Sequence, residues 1–149
     1  MMRPLSEMQA EVLDSVPLLD EVDVGFVDAI GAVLSQDVNA PEDLPGFENA
    51  AMDGFAVIAA DTTNPPRNLR VVDDVAAGAV PSVALTPGTV ARIMTGAPIP
   101  EGADAVVPVE VTEGSQAESV RIMEVAAVGD HIRPAGGNVR AGTRVFDAG

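Results

Sequence analysis

The chain lacks cysteine, lysine, tryptophan and tyrosine altogether among its 149 residues. Without cysteine it forms no disulfide and offers no thiolate to a metal. Aromatic residues make up 3%, all of them phenylalanine, so the core has to be aliphatic and ligand binding through stacked rings has little to work with. The absence of lysine leaves eight arginines against 23 acids, a net charge of -15. That charge opposes attraction to phosphate backbones and anionic lipid surfaces, so neither nucleic acid nor membrane is an expected partner. No apolar run approaches the roughly 20 residues of a membrane span. Residues Met1 to Glu7 lack the apolar centre of a signal peptide, and the expected location is the cytoplasm.

What is present is enough apolar residue, 47%, to bury a real core. Charge is distributed unevenly: residues 1–61 carry 13 of the acids and only Arg3, whereas residues 62–149 carry 10 acids and seven arginines. These early acids are mostly spaced singly, as on solvated faces, and form no Asp-x-Asp-x-Asp-Gly cation loop. Near the start, Ser6 and Gln9 have the spacing of a capping box, followed by Met8, Val12 and Val16 on one face, which predicts a helix ending near Pro17. Asp23 as a cap, with Phe26, Ile30 and Leu34 at helical spacing, predicts a second short helix. From Pro41 the pattern changes to β-branched or alternating runs, Phe55 to Ala59, Leu69 to Val75, Thr89 to Met94, Ala105 to Val111 and Val120 to Val125. Turn clusters such as Thr86-Pro87-Gly88 separate them. The expected class is mainly β with α, an α+β chain. Residues 1–45 and 126–149 form a helical and extended linker unit, and residues 46–125 a β-barrel-like domain of short bent strands.

Three segments carry candidate chemistry. In Pro45-Gly46-Phe47-Glu48-Asn49-Ala50-Ala51-Met52-Asp53-Gly54-Phe55, Asp53 stands at a tight turn that Gly54 permits, anchored by apolar residues on both sides; it is a turn residue or a functional carboxylate. In Arg92-Ile93-Met94-Thr95-Gly96-Ala97-Pro98, Thr95 and Gly96 follow a strand and offer a hydroxyl and backbone amides, either as an ordinary turn or as a seat for a small anionic group. Glu110, at the expected end of the next strand, is a solvated edge residue or a second carboxylate near Asp53. In His131-Ile132-Arg133-Pro134-Ala135-Gly136-Gly137-Asn138-Val139-Arg140, the arginines suit carboxylate or phosphate oxygens and the glycines allow close backbone approach.

In this order and spacing the three segments resemble the N-terminal region of the molybdopterin molybdenumtransferase family, which is similar to the E domain of gephyrin. The resemblance runs through Phe47 and Asn49 to Ala56, then Met94 to Pro98 with Ala105 to Val107 and Glu110, then Arg133, Gly136 and Gly142. Ala50 stands where the family commonly has Ser, Phe55 where it has Tyr, and Asn138 where it has Asp. The resemblance implies an enzyme that inserts molybdate into adenylylated molybdopterin with Mg²⁺, acting as a homodimer whose cleft lies between subunits. It implies further that Asp53 and Glu110 hold a cation or orient water, that Thr95 donates toward an oxyanion, and that Gly54, Gly96, Arg133, Gly136 and Asn138 line the substrate. Family members continue into a molybdopterin-binding α/β domain and a C-terminal β domain absent from this chain, which would then supply half of a site and be inactive alone. The competing expectation is a non-catalytic β module for dimerisation or partner binding.

Overall fold

The structure is a computed structural model and describes residues 4–114 and 118–149. It divides into two compact units, Met1–Val38 with Phe146–Gly149, and Asn39–Val145. These boundaries fall inside the segments 1–45 and 126–149 that the sequence assigned to the linker.

The first unit holds helix α1, Leu5–Ser15. Its start differs from the expected capping box: Pro4 is the N-cap, with no side-chain bond, and Ser6 lies within the first turn. Proline suits this place because its missing N–H would go unpaired at a helix start anyway, while its carbonyl accepts from Glu7 and Met8 at 3.2 and 3.3 Å. The helix stops before Pro17, as the sequence implied. The second helix does not form. Residues 26–31 make turns only, with Asp28 and Ala29 N–H groups on the Gly25 carbonyl. A segment this short between Gly25 and Gly31 cannot offset the cost of helix nucleation without packing, and Phe26 is 96% exposed. The unit is held instead by isolated bonds, Gly149 N–H to the Leu34 carbonyl at 3.0 Å and Ala148 N–H to Asp37 Oδ1 at 2.9 Å. No residue of α1 is buried.

The second unit is built around one sheet. Its strands are β3 (Gly54–Val57), β4 (Arg67–Val75), β5 (Thr89–Ile93), β6 (Ala105–Pro108), β7 (Thr112–Glu113) and β8 (Ser119–Ile122). They pair in the order β6-β3-β5-β4-β8-β7, all antiparallel except β4 with β5. The edge strands β6 and β7 are separated in sequence only by the 3-10 turn Val109–Val111, so the sheet has to curl to bring its edges together, and Met123 N–H bonds the Val111 carbonyl at 3.1 Å. Alternation along each strand then builds two cores. Phe55, Val57, Leu69, Val90, Val107, Val120 and Ile122 fill one face, and Ala56, Val75, Leu85, Ala91, Ile93 and Val106 the other. Two-stranded ladders complete the topology: β1 (Val38–Asn39) with β10 (Arg144–Phe146), and β2 (Asn49–Ala50) with β9 (Ile132–Arg133).

The expected mainly-β fold is therefore present, with strand ends displaced. The run Ala105 to Val111 ends as a strand at Pro108, which has no N–H for a ladder, and Glu110 sits in the 3-10 turn rather than on a strand. Phe55 to Ala59 gives way after Val57 to the 3-10 turn Ala59–Thr62, whose first N–H is taken by Asp104 Oδ1 at 2.6 Å.

Gly54 is buried where β3 meets β6, and a Cβ there would lie 2.0 Å from the Val107 carbonyl oxygen. Gly54→Ala should destabilise this unit by about 2 to 3 kcal/mol, as overpacked sites do. Gly96 has open space but a φ of +83°, so Gly96→Ala should cost only about 1 kcal/mol. Urea unfolding of the two variants checks the order; equal costs would mean that strand approach is not the constraint at Gly54.

Candidate functional site

The three sequence segments meet at β2. The Ala50 N–H donates to the Ala97 carbonyl at 3.0 Å, and the Gly96 N–H donates to the Ala50 carbonyl at 2.8 Å. On its other side β2 pairs with β9, Asn49 opposite Arg133 and Ala50 opposite Ile132, and the Ala51 N–H donates to the His131 carbonyl at 2.8 Å. The buried Asn49 side chain closes the approach by donating to the Phe47 carbonyl at 3.1 Å. With both sides tied, the chain turns through residues 51–53 and enters β3, which leaves Asp53 beside the end of β5.

There the Thr95 backbone N–H and its hydroxyl both donate to Asp53 Oδ1, at 2.7 and 2.6 Å. Two donors on one oxygen favour the charged form, so Asp53 is held below the usual carboxylate range, first by the Thr95 hydroxyl and then by its N–H, against a small desolvation. The other oxygen, Oδ2, takes part in neither bond. The Asp53 carbonyl in turn accepts from the Val109 N–H at 3.1 Å, which fixes the start of the Val109–Val111 turn next to it. Asp53 borders a shallow concavity of about 320 Å³ with Gly54, Phe55, Asp74, Arg92, Ile93, Met94 and Val109.

The remaining expected site residues are placed unequally. Thr95 and Gly96 are at the site, but their donors are engaged within the chain: Thr95 serves Asp53 and the Gly96 amide serves Ala50, so they are not open toward an oxyanion. Glu110 is exposed and follows Val109, which ties it to the neighbourhood of Asp53 through the backbone alone. Arg133 faces Asn49 and reaches the Ala51 carbonyl at a long 3.5 Å. Gly136 and Asn138 belong to a different contact, donating their N–H groups to the carbonyls of Pro45 and Leu44 at 2.8 and 2.9 Å. Gly136 is tight as well as left-handed, at φ +65°, with Asp43 and Arg140 side-chain atoms 3.1 Å from where a Cβ would stand. Among the described residues no three carboxylate or histidine side chains gather as a metal cage. Arg92 and Asp74, which no motif in the sequence marks as a pair, form an ion pair at 3.3 Å that borders the same concavity. The alternation along β5 was the only available signal.

Because the folded pKa of Asp53 is depressed, its stabilising contribution is present above the unfolded value of about 3.9 and disappears as pH falls through the lower folded value. Thr95→Val removes the hydroxyl donor and keeps the N–H, so the Asp53 midpoint should rise toward the ordinary value and the acid-side loss of stability should shrink. Carboxyl ¹³C NMR titration reads the midpoint directly; an unchanged value in Thr95→Val would refute the hydroxyl as its main cause.

Known proteins match this chain in sequence and fold over nearly all of its length. The family described as MoeA N-terminal region (domain I and II) matches residues 3–149. Molybdopterin molybdenumtransferase 2 of Mycobacterium tuberculosis is 45% identical, over 99% of this chain and 37% of that protein. Molybdopterin molybdenumtransferase of Bacillus subtilis is 37% identical, over 85% of this chain and 31% of that protein. The crystal structure of a molybdopterin biosynthesis MoeA protein from Pyrococcus horikoshii superposes on all of this chain and 40% of its own, with a TM-score of 0.91 at 31% identity. The chain thus spans well under half the length of these relatives, and it belongs to the MoeA N-terminal region family.

Proposed function

We propose that this chain supplies one wall of the active site of a molybdopterin molybdenumtransferase, acting in molybdenum cofactor biosynthesis. The observation that carries the reading is that the three motif segments meet at β2 and two of them go on to form the Asp53–Thr95 bond, which holds a carboxylate charged by one oxygen at the edge of a concavity. The reaction is the insertion of molybdate into adenylylated molybdopterin with release of AMP, in a cleft completed by a facing α/β domain of a partner subunit. Asp53 is the acting group. Thr95 keeps it ionised and oriented, and Arg133, beside Asn49 and reaching the Ala51 carbonyl, is a cation for an anionic substrate group.

Mg²⁺ fits this wall in part. It takes oxygen donors and is commonly held by one or two carboxylates plus substrate phosphates; Asp53 Oδ2 is a suitable first ligand, with Glu110 on the adjoining turn as the other carboxylate. When bound, the ion would neutralise phosphate charge. Asp53→Asn in the full-length protein should keep the fold and lower activity by about 100-fold or more, the scale of lost electrostatic stabilisation. Near-normal turnover with an intact fold would make Asp53 a turn residue.

A second reading, a non-catalytic module for dimerisation, draws on the first unit. There Leu13, Leu18, Leu19, Phe26 and Ile30 are exposed, Leu18 at 98%, a surface of the kind that a partner covers. Both readings include a homodimer. Light scattering of this chain at micromolar concentration should show dimer, and the chain alone should show no calorimetric binding of AMP because its wall stands in bulk water. Monomer would place dimerisation outside these residues, and tight AMP binding would move the whole pocket into them.

A further inference from the structure

Three side chains stand in a row across adjacent strands just before the Asp53–Thr95 bond. Arg92 on β5 stands directly opposite Phe55 on β3 and Asp74 on β4, so the three share one face of the sheet. Arg92 Nη1 donates to Asp74 Oδ2 at 3.3 Å, and its guanidinium carbon stands 5.8 Å from the centre of the Phe55 ring, within cation–π range. Phe55 is 1% exposed and belongs to the core that also contains Val90, two residues back along β5 on the same face. The guanidinium therefore ends the apolar face with a charge that is stacked on one side and paired on the other.

The pairing depends on an irregularity. Between Val71 and Asp73 the β4–β5 register shifts by one residue, which brings Asp74 rather than Asp73 opposite Arg92. Asp73 is employed elsewhere, accepting from the Ser82 N–H at 2.8 Å and the Asp74 N–H at 2.9 Å. The row then lies one pair short of the site end of both ladders, where Ile93 stands opposite Gly54 and Val75: Phe55 is two residues after Asp53, and Arg92 three before Thr95.

We propose that Arg92, held by Asp74 and Phe55, is a positioning residue that fixes where β3 begins and β5 ends, so that Thr95 meets one oxygen of Asp53 and leaves the other for a ligand. The consequence for function rests on the reading of Asp53 as a working carboxylate; the positioning itself is measurable on this chain without any ligand. A partly exposed ion pair contributes little to global stability, so the effect belongs in local geometry. Arginine suits this place better than lysine because its planar guanidinium lies over the ring while one Nη reaches the carboxylate.

The test is amide NMR and hydrogen exchange on this chain carrying Arg92→Met, Arg92→Lys or Asp74→Asn. In Arg92→Met the Thr95 amide should move upfield toward an unbonded position and exchange about tenfold faster or more, as a locally opened amide does, while the amides of Val57 and Ile122 exchange as in the parent. Arg92→Lys and Asp74→Asn should shift Thr95 the same way by less. An unchanged Thr95 amide in a folded Arg92→Met overturns the proposal; if that variant does not fold, an unchanged Thr95 in both milder variants overturns it. In the full-length protein Arg92→Lys should lower kcat with KM held. A displaced Thr95 amide alongside an active Asp53→Asn protein would uphold the positioning and refute the working carboxylate.

Discussion

Ala50 is completely buried, and both of its backbone polar groups are taken by the turn at residues 96 and 97. A buried N–H or carbonyl without a partner costs on the order of 1 to 3 kcal/mol, so this double bond to one turn, with β9 on the other side, ties together three segments distant in sequence. Every feature of the site follows from that closure. The alanine side chain fits a place with no exposed surface, and the next residues have no freedom except to turn outward and deliver Asp53 to the end of β5.

The charge on Asp53 depends on geometry rather than burial. It is exposed, yet two donors from a single residue converge on one oxygen, and that residue is itself held because its neighbour Gly96 is bonded to Ala50. Thr95 and Gly96 thus act as one bracket, the threonine gripping the carboxylate and the glycine gripping the strand beneath it. The same donors cannot also serve a bound anion, which separates a fixed carboxylate from an open oxyanion seat as the chemistry this wall offers.

Much of this was legible in the sequence. Each β-branched run became a strand, and Thr86-Pro87-Gly88 became a turn with Gly88 at a φ of +83°. The motif residues Asp53 and Thr95 are joined directly, while Arg133 pairs with Asn49 on β2. What was not legible depended on tertiary pairing. The helical spacing of Phe26, Ile30 and Leu34 signals a helix only when something covers its apolar face, and within its own unit these side chains are exposed. Glu110 left its strand because Pro108 ends the ladder. Gly136 and Asn138 serve the Leu44–Pro45 backbone through bonds that no local pattern encodes. Arg92 found Asp74 only through a register shift on a neighbouring strand.

Joining β6 to β7 through Val109–Val111 has a further consequence. A sheet edge normally displays unpaired N–H and carbonyl groups that invite another strand. Here one edge runs directly into the other, the β6 residue Val106 gives its N–H to the Asp130 carbonyl at 2.9 Å, and β7 is only two residues long. Among the described residues the two edges therefore offer little length for strand addition, the least selective form of protein association, and favour recognition through side chains and their charges.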